Sequence, residues 1–407
     1  MKYINGGVCA AQGFKAGGLH MGVKTHNKNK KDVAMIVSDS VCTAAAVYTK
    51  NKVKASHIAV DIKHLSDGTA KAAVINSGIA NACAPHGEEY AVKMCAAAAK
   101  EIGCEVNDVV IASTGVIGQP LNITAIENGM PELYMSISHS DEGSDAAAKA
   151  IMTTDTVKKE LALETEVGGK VVKMGGIAKG SGMIHPKMGT MLCFITTDCA
   201  ISAEMIKEAL KETVKVTFNR ISVDGDTSTN DTCCVMANGE AGNDIITEKN
   251  EAYNEFVSAL KELCTRLSME MASDGEGAKH LIICKVKNAL DEDTAQTVSK
   301  SVISSTLTKA AIFGADANWG RVLCAMGYSG ADFDPEKVSI AFKSKAGSIP
   351  VCENGEGLDF DEELAKKILT EHDITIDIDM KSGSAECTCF GCDITYDYIK
   401  INGDYRT

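Results

Sequence analysis

The sequence predicts a layered α/β or α+β fold. Short apolar runs alternate along the chain with segments of helical periodicity, the signature of sheets covered by helices. The balance of 45% hydrophobic and 24% charged residues is that of an ordinary globular protein. No repeat of fixed period and no low-complexity tract interrupts it. A length of 407 residues gives two or three domains with ample core and no need of a disulfide or metal staple.

The elements follow in order. VAMIVSDS (33–40) and KAAVINSG (71–78) read as early strands. A helix covers EEYAVKMCAAAAKEIG, with Gly103 as its stop signal. VVIASTGVIG (109–118) is a buried strand running into a glycine-bounded loop, and a helix lies near DAAAKAIM (145–152). MLCFITTD (191–198) is an apolar strand. In SAEMIKEALKETVKVTF, Met205, Ile206, Leu210 and Val214 fall on one helical face, and Phe256, Leu260, Leu263 and Leu267 repeat the pattern. After Lys279 the alternation restarts with the strand HLIICKVKN and a helix over 294–313. The expected division is therefore a main unit, 1–279, and a smaller α/β unit, 280–407.

Charge and cysteines narrow the function. A net charge of −14 argues against nucleic acid, whose phosphates need clustered Lys and Arg, and against an anionic membrane surface. MKYINGGVCAAQGFKAGG has no apolar signal core, and no run reaches the length of a membrane span. The expected compartment is the cytoplasm, where the 16 cysteines are reduced. Most lie in apolar segments and read as small buried hydrophobes. Cys387, Cys389 and Cys392 cluster in ECTCFGC, but no fourth ligand of zinc-site spacing accompanies them. A metal site there is the minor reading beside buried thiols.

The densest chemical punctuation is Lys179-Gly180-Ser181-Gly182-Met183-Ile184-His185-Pro186-Lys187-Met188-Gly189-Thr190-Met191-Leu192. Small residues let such a loop take left-handed conformations, and it feeds a strand that begins near a threonine. A nucleophilic hydroxyl there needs a base. His185 is one candidate. The other is an α-amino group released by cleavage before Thr190, whose reference pKa of roughly 7.7–8 suits proton transfer near neutrality. Taken alone, the segment also reads as a glycine-rich loop before a strand.

The same segment closely resembles the self-cleavage region of the ornithine acetyltransferase family of arginine biosynthesis. The resemblance runs from GVCAAQGFKAGG through VYTKNKVKAS, VINSGIANAC, ASTGVIG, AIMTTDT, ISVDGDTSTNDT, ASDGEGAK and FGADANWGR to CDITYDYIKINGDYRT. It implies an α/β sandwich in the style of the N-terminal-nucleophile hydrolases, followed by a smaller α/β domain. It implies a precursor cut between Gly189 and Thr190 into an alpha chain, 1–189, and a beta chain, 190–407, assembled as a heterotetramer. Relatives often carry alanine at the position of Gly189.

Residue by residue, the resemblance makes Thr190 the nucleophile, in maturation and in catalysis alike. The Thr114 hydroxyl and the Gly115 N–H become the oxyanion donors that tetrahedral intermediates require. Lys179 is the cation for the substrate carboxylate, and Glu276 the partner of the ornithine ammonium. Thr153 or Thr154 contacts substrate, with Thr153 favoured, and Asn402 and Thr407 are contacts from the tail. The implied reaction moves an acetyl group from N-acetylornithine to glutamate through an acetyl-Thr190 enzyme, a ping-pong scheme that needs no metal and no cofactor. Some family members also take acetyl-CoA as donor, and no residue of this sequence decides that. The competing reading is an amidohydrolase or aminopeptidase of similar style, in which water discharges the same acyl-threonine.

Other signals weaken. Asp224-Gly225-Asp226-Thr227-Ser228-Thr229-Asn230-Asp231 is acidic and rich in hydroxyls but lacks EF-hand spacing and the distal Glu, and reads as a hydrogen-bonded loop bracing the site. No Walker A or strand-linked G-x-G-x-x-G motif is present. Trp319 reads as a packing anchor. Ile79 replaces the polar asparagine more usual in relatives, so the neighbouring backbone is expected to pack differently.

Overall fold

The computed structural model describes residues 1–24, 30–185 and 191–404. Its strands in chain order begin β1 Lys2–Ile4, β2 Phe14–Leu19, β3 Val33–Tyr48, β4 Thr69–Asn76, β5 Val109–Ser113, β6 Lys159–Val167, β7 Lys170–Lys179, β8 Leu192–Thr197, β9 Ile221–Ser222 and β10 Thr232–Ala237. All but β9 form a nine-stranded sheet in the order β1-β6-β7-β8-β10-β3-β4-β5, with β2 also paired to β3. The helices of this part are α1 Ser56–His64, α2 Gly87–Ile102, α3 Ile123–Ser136, α4 Asp141–Ile151, α5 Ala203–Val216 and α6 Glu251–Ser273.

Strand alternation builds the layers, since successive side chains point to opposite faces. Along β3, Ala34, Ile36, Cys42 and Ala44 enter a core with Ala147, Ala150 and Ile151 of α4. Met35 and Val37 enter another beneath Val60 of α1, Met94 and Ala98 of α2, and Ile126 and Met130 of α3. In β8, Leu192 and Phe194 join the α4 core, while Cys193 and Ile195 pack with α5 and α6. Phe256, Leu260, Leu263 and Leu267 of α6 are wholly buried, each stabilising by about 1.5–3 kcal/mol.

The second sheet holds β11 Leu281–Ala289, β12 Ser339–Ser344, β13 Gly347–Glu353, β14 Glu356–Gly357, β15 Asp373–Asp379 and β16 Ala385–Cys392. Its order is β14-β13-β12-β15-β11-β16-β9, so residues 221–222 cross over to extend it beyond β16. The remaining helices are α7 Glu292–Ser304, α8 Thr306–Phe313, α9 Trp319–Gly327, α10 Glu362–Leu369 and α11 Tyr396–Asp404. Trp319 packs against this sheet's core.

One expectation is corrected. The single helix over 294–313 is two, because Ser305 is extended and its hydroxyl caps α8 by accepting from Thr308 N at 3.3 Å. Cys387, Cys389 and Cys392 are buried. The first two thiols lie 4.0 Å apart, and Cys392 Sγ faces Lys309 Nζ at 3.6 Å. Among the described residues no helix is long and apolar enough to cross a membrane.

Candidate functional site

Where β5, β7 and β8 end or begin, a cavity of about 220 Å³ opens between the two sheets' connecting loops. Thr114, Gly115, Thr153, Thr154, Lys179, Glu276 and Asn402 all line it, together with Gly182, Met191 and Ser228 to Asp231. These segments are far apart in sequence, and the sheet order brings them together. Leu192 at the head of β8 sits opposite Lys179 of β7 on one side and Thr232 of β10 on the other. Gly189, Thr190 and Thr407 lie outside the described residues.

Thr114 follows directly on β5, and its N–H donates to Asn76 O at 2.9 Å. Gly115 has φ +124°, a left-handed conformation that L side chains rarely adopt, and a Cβ there would lie 2.3 Å from Gly78 O. Only glycine fits so close beneath the 76–80 loop. That loop is stitched by Asn76, whose amide donates to Ile79 O at 3.1 Å and Ser113 Oγ at 2.7 Å. The side-chain oxygen of Asn76 accepts from Gly78 N and Ile79 N at 3.1 Å each. Ile79 meets this loop through its backbone and bridges Val116, while its side chain packs on the α1–α3 core.

Lys179 ends β7 with its ammonium 3.4 Å from Thr114 Oγ1. Burial pulls it below the ordinary lysine range; Asp155 opposes the shift and Lys159 adds to it. Asp155 is the hub beneath it. Its carboxylate takes Lys159 Nζ at 2.6 Å, Gly180 N at 2.7 Å and Thr153 N at 2.9 Å. Burial alone would raise the Asp155 carboxyl, but Lys159 and Lys179 hold it well below the usual carboxylate range. Lys159, fully buried, also reaches Asp274 Oδ2 at 2.5 Å. Asp274 in turn accepts from Thr156 N at 3.0 Å, tying the end of α6 to the 153–159 segment.

Glu276 hangs from the turn after α6. Its N–H donates to Ser181 O at 2.8 Å, and its Oε2 accepts from the Asn402 amide at 2.7 Å. Thr154 Oγ1 meets Ser181 Oγ at 2.7 Å. His185 Nδ1 lies 3.0 Å from Ser222 Oγ, and its carbonyl accepts from Thr227 Oγ1 at 2.9 Å.

A family model described as the ArgJ family matches residues 15–407. The chain belongs to the ArgJ family. It is 47% identical over its whole length to the arginine biosynthesis bifunctional protein ArgJ of Caldanaerobacter subterraneus, all of which is covered. It is 46% identical to ArgJ 1 of Clostridium acetobutylicum, covering 97% of this chain and 96% of that one. The crystal structure of ArgJ from Bacillus halodurans, 42% identical, matches 53% of this chain and 100% of that chain with a TM-score of 0.51. As an ArgJ protein the chain is an acetyltransferase of arginine biosynthesis, the activity implied by its sequence resemblance.

Sequence reasoning missed several buried residues around this cavity. Asp155 and Lys159 are four apart, but their third partner, Asp274, is remote in sequence and gives no local signal. Lys24 was also missed; its ammonium donates to Met152 O at 2.7 Å, next to Thr153, and burial pushes it down to about 8. The Asp224 carboxylate accepts from Met183 N at 2.6 Å and Ile184 N at 3.0 Å, two residues of the cavity lining.

Proposed function

We propose that this enzyme transfers the acetyl group of N-acetylornithine to glutamate through an ester on Thr190, after cutting itself between Gly189 and Thr190. The observation that carries the reading is the convergence of Thr114, Gly115, Lys179 and Glu276 around a cavity that Met191 and Leu192 also line. The residue before Met191 is Thr190. In the precursor its hydroxyl attacks the Gly189 carbonyl; the C–N bond breaks, and water opens the resulting ester. The freed α-amine then serves as base for the same hydroxyl.

In turnover, Thr190 Oγ adds to the acetyl carbonyl, and Thr114 Oγ and Gly115 N–H stabilise the oxyanion. The amide C–N bond breaks and ornithine leaves with a proton on its amine. Glutamate's amine then attacks the ester and departs acetylated. Lys179 holds the α-carboxylate of each substrate and Glu276 the side-chain ammonium of ornithine. Thr154 Oγ1 is engaged by Ser181, which supports Thr153 as the substrate-contacting threonine. Asn402 orients Glu276, and Thr407 is the second contact from the tail. The reading includes an alpha chain 1–189 and a beta chain 190–407, a cytoplasmic heterotetramer, units divided near residue 280, and acetyl-CoA as a second donor.

Thr190→Ala tests it. The expected product is one uncut, inactive chain, whereas the parent shows two fragments on a denaturing gel and forms acetylglutamate from acetylornithine and glutamate. Activity surviving in Thr190→Ala removes Thr190 as nucleophile. Free acetate in place of acetylglutamate moves the enzyme to the hydrolases. An acetyl-CoA plus glutamate assay decides the second donor.

A further inference from the structure

Asn230 occupies a place that no proposed step uses. It lies in the loop before β10 and is 5% exposed. Both hydrogens of its amide are engaged across the chain: Nδ2 donates to Ala80 O at 2.6 Å and to Ser113 O at 2.7 Å. Its Oδ1 accepts from the Thr229 hydroxyl, which fixes which end of the amide is nitrogen.

The two carbonyls belong to different loops. Ser113 is the residue before Thr114, and Ala80 closes the 76–80 loop, on which Gly115 lies so closely. Ala80 N in turn donates to Val116 O at 2.9 Å, so the loops already touch on their far side. Asn230 itself is two residues from Thr232, whose N–H donates to Met191 O at 2.9 Å. One amide therefore joins three segments: the 76–80 loop, the Thr114–Gly115 turn, and the strand pair that carries the residue after Thr190. Behind it stands wholly buried His57, its Nε2 3.4 Å from Thr232 Oγ1.

We infer that Asn230 is a positioning residue that sets the oxyanion donors Thr114 and Gly115 against the head of β8. The inference rests on the proposed role of those two donors. Oxyanion donors act only when aimed at the oxygen of the intermediate, and a displacement of about 1 Å costs roughly 100-fold in rate. Substrate carboxylate binding runs through Lys179, whereas the Asn230 side chain bonds Thr229, Ala80 and Ser113. Loss of the clamp should therefore strike kcat and spare KM.

Asn230→Asp is the discriminating variant. It keeps the shape but places a carboxylate oxygen against two carbonyl oxygens. When ionised it repels both; when protonated it donates to one. The ratio of variant to parent kcat should thus climb as pH falls, which a loss of packing would not produce. Asn230→Ala should lower kcat about 100-fold with KM for acetylornithine and glutamate unchanged. Parent-like kcat in Asn230→Ala, or a flat pH ratio in Asn230→Asp, overturns the inference. If Asn230→Ala does not fold, Asn230→Asp and Asn230→Ser carry the test; failure of all three to fold assigns the residue a purely structural role and overturns it too. Thr114→Ala runs alongside. If Thr114→Ala keeps full kcat, the oxyanion reading itself falls; if it loses kcat while the Asn230 variants keep theirs, only the inference falls.

Discussion

Asn402 of α11 donates its side-chain amide to Glu276 Oε2 at 2.7 Å, so a helix from the second half of the chain orients a carboxylate that hangs from the end of α6. Glu276 is buried in the cavity wall. A hydrogen bond to a charged group is worth about 1.5–3 kcal/mol.

Asn402→Ala should therefore raise KM for acetylornithine about tenfold, by freeing Glu276 to turn from the ammonium it is proposed to hold. Asn402→Asp should raise it further, because a second carboxylate then faces the first. Steady-state kinetics of the two variants, read side by side, check this. Equal KM values would mean that the contact is not felt by substrate.

Lys159 links Asp155 and Asp274 with no exposure of its own. Removing one partner of a buried charge pair costs about 3–5 kcal/mol, since the others are left unpaired. Lys159→Met should lose that much in urea unfolding. The pH dependence follows from Asp155, whose folded pKa is depressed. A depressed carboxylate stabilises the fold above its unfolded pKa of about 3.9, and that contribution is lost as pH falls below this value toward the folded pKa. Asp155→Asn should flatten the stability curve in that acid window while lowering it at neutral pH.

Much of this was legible in sequence where the physics is local. Helix α2 ends at Ile102 because Gly103 follows, and α5 and α6 bury the faces their periodicity marked. The hairpin of β6 and β7 around Gly168 and Gly169 went unread, although alternation flanking a Gly-Gly pair is a hairpin signal. The crossing of β9 to the second sheet was not legible. Ile221 pairs with Phe390, and nothing within a short window specifies so distant a partner. The candidate site divides the same way: Thr114, Gly115 and Lys179 were named only through the family resemblance of their segments, whereas Lys159–Asp274 and Asn230–Ala80 exist only once the sheet is assembled.

Lys179 is buried beside Asp155, Lys159 and Glu276, and burial sets its ammonium below the ordinary lysine value. The substrate carboxylate binding proposed for Lys179 should therefore weaken on the alkaline side before a free lysine would titrate. The KM for glutamate should rise along a limb that starts below pH 10.5. Lys179→Arg should push that limb upward, because a guanidinium stays protonated, and Lys179→Met should raise KM at every pH. A KM–pH profile that is unchanged in Lys179→Arg would separate the limb from this residue.

Gly182 faces Glu276 so closely that a Cβ would stand 2.4 Å from its carboxylate. The atoms met are the far end of a flexible side chain, so the carboxylate moves while the backbone stays. Gly182→Ala should leave thermal stability within about 0.5 kcal/mol of the parent, the usual range away from packed cores. Its effect should fall on KM for acetylornithine, because Glu276 is displaced from the place proposed for it beside the substrate ammonium. Combining it with Asn402→Ala gives a double-mutant cycle. Both changes act through one carboxylate, so their costs should fall short of additive. Full additivity would show that the glycine and the tail asparagine serve substrate binding separately.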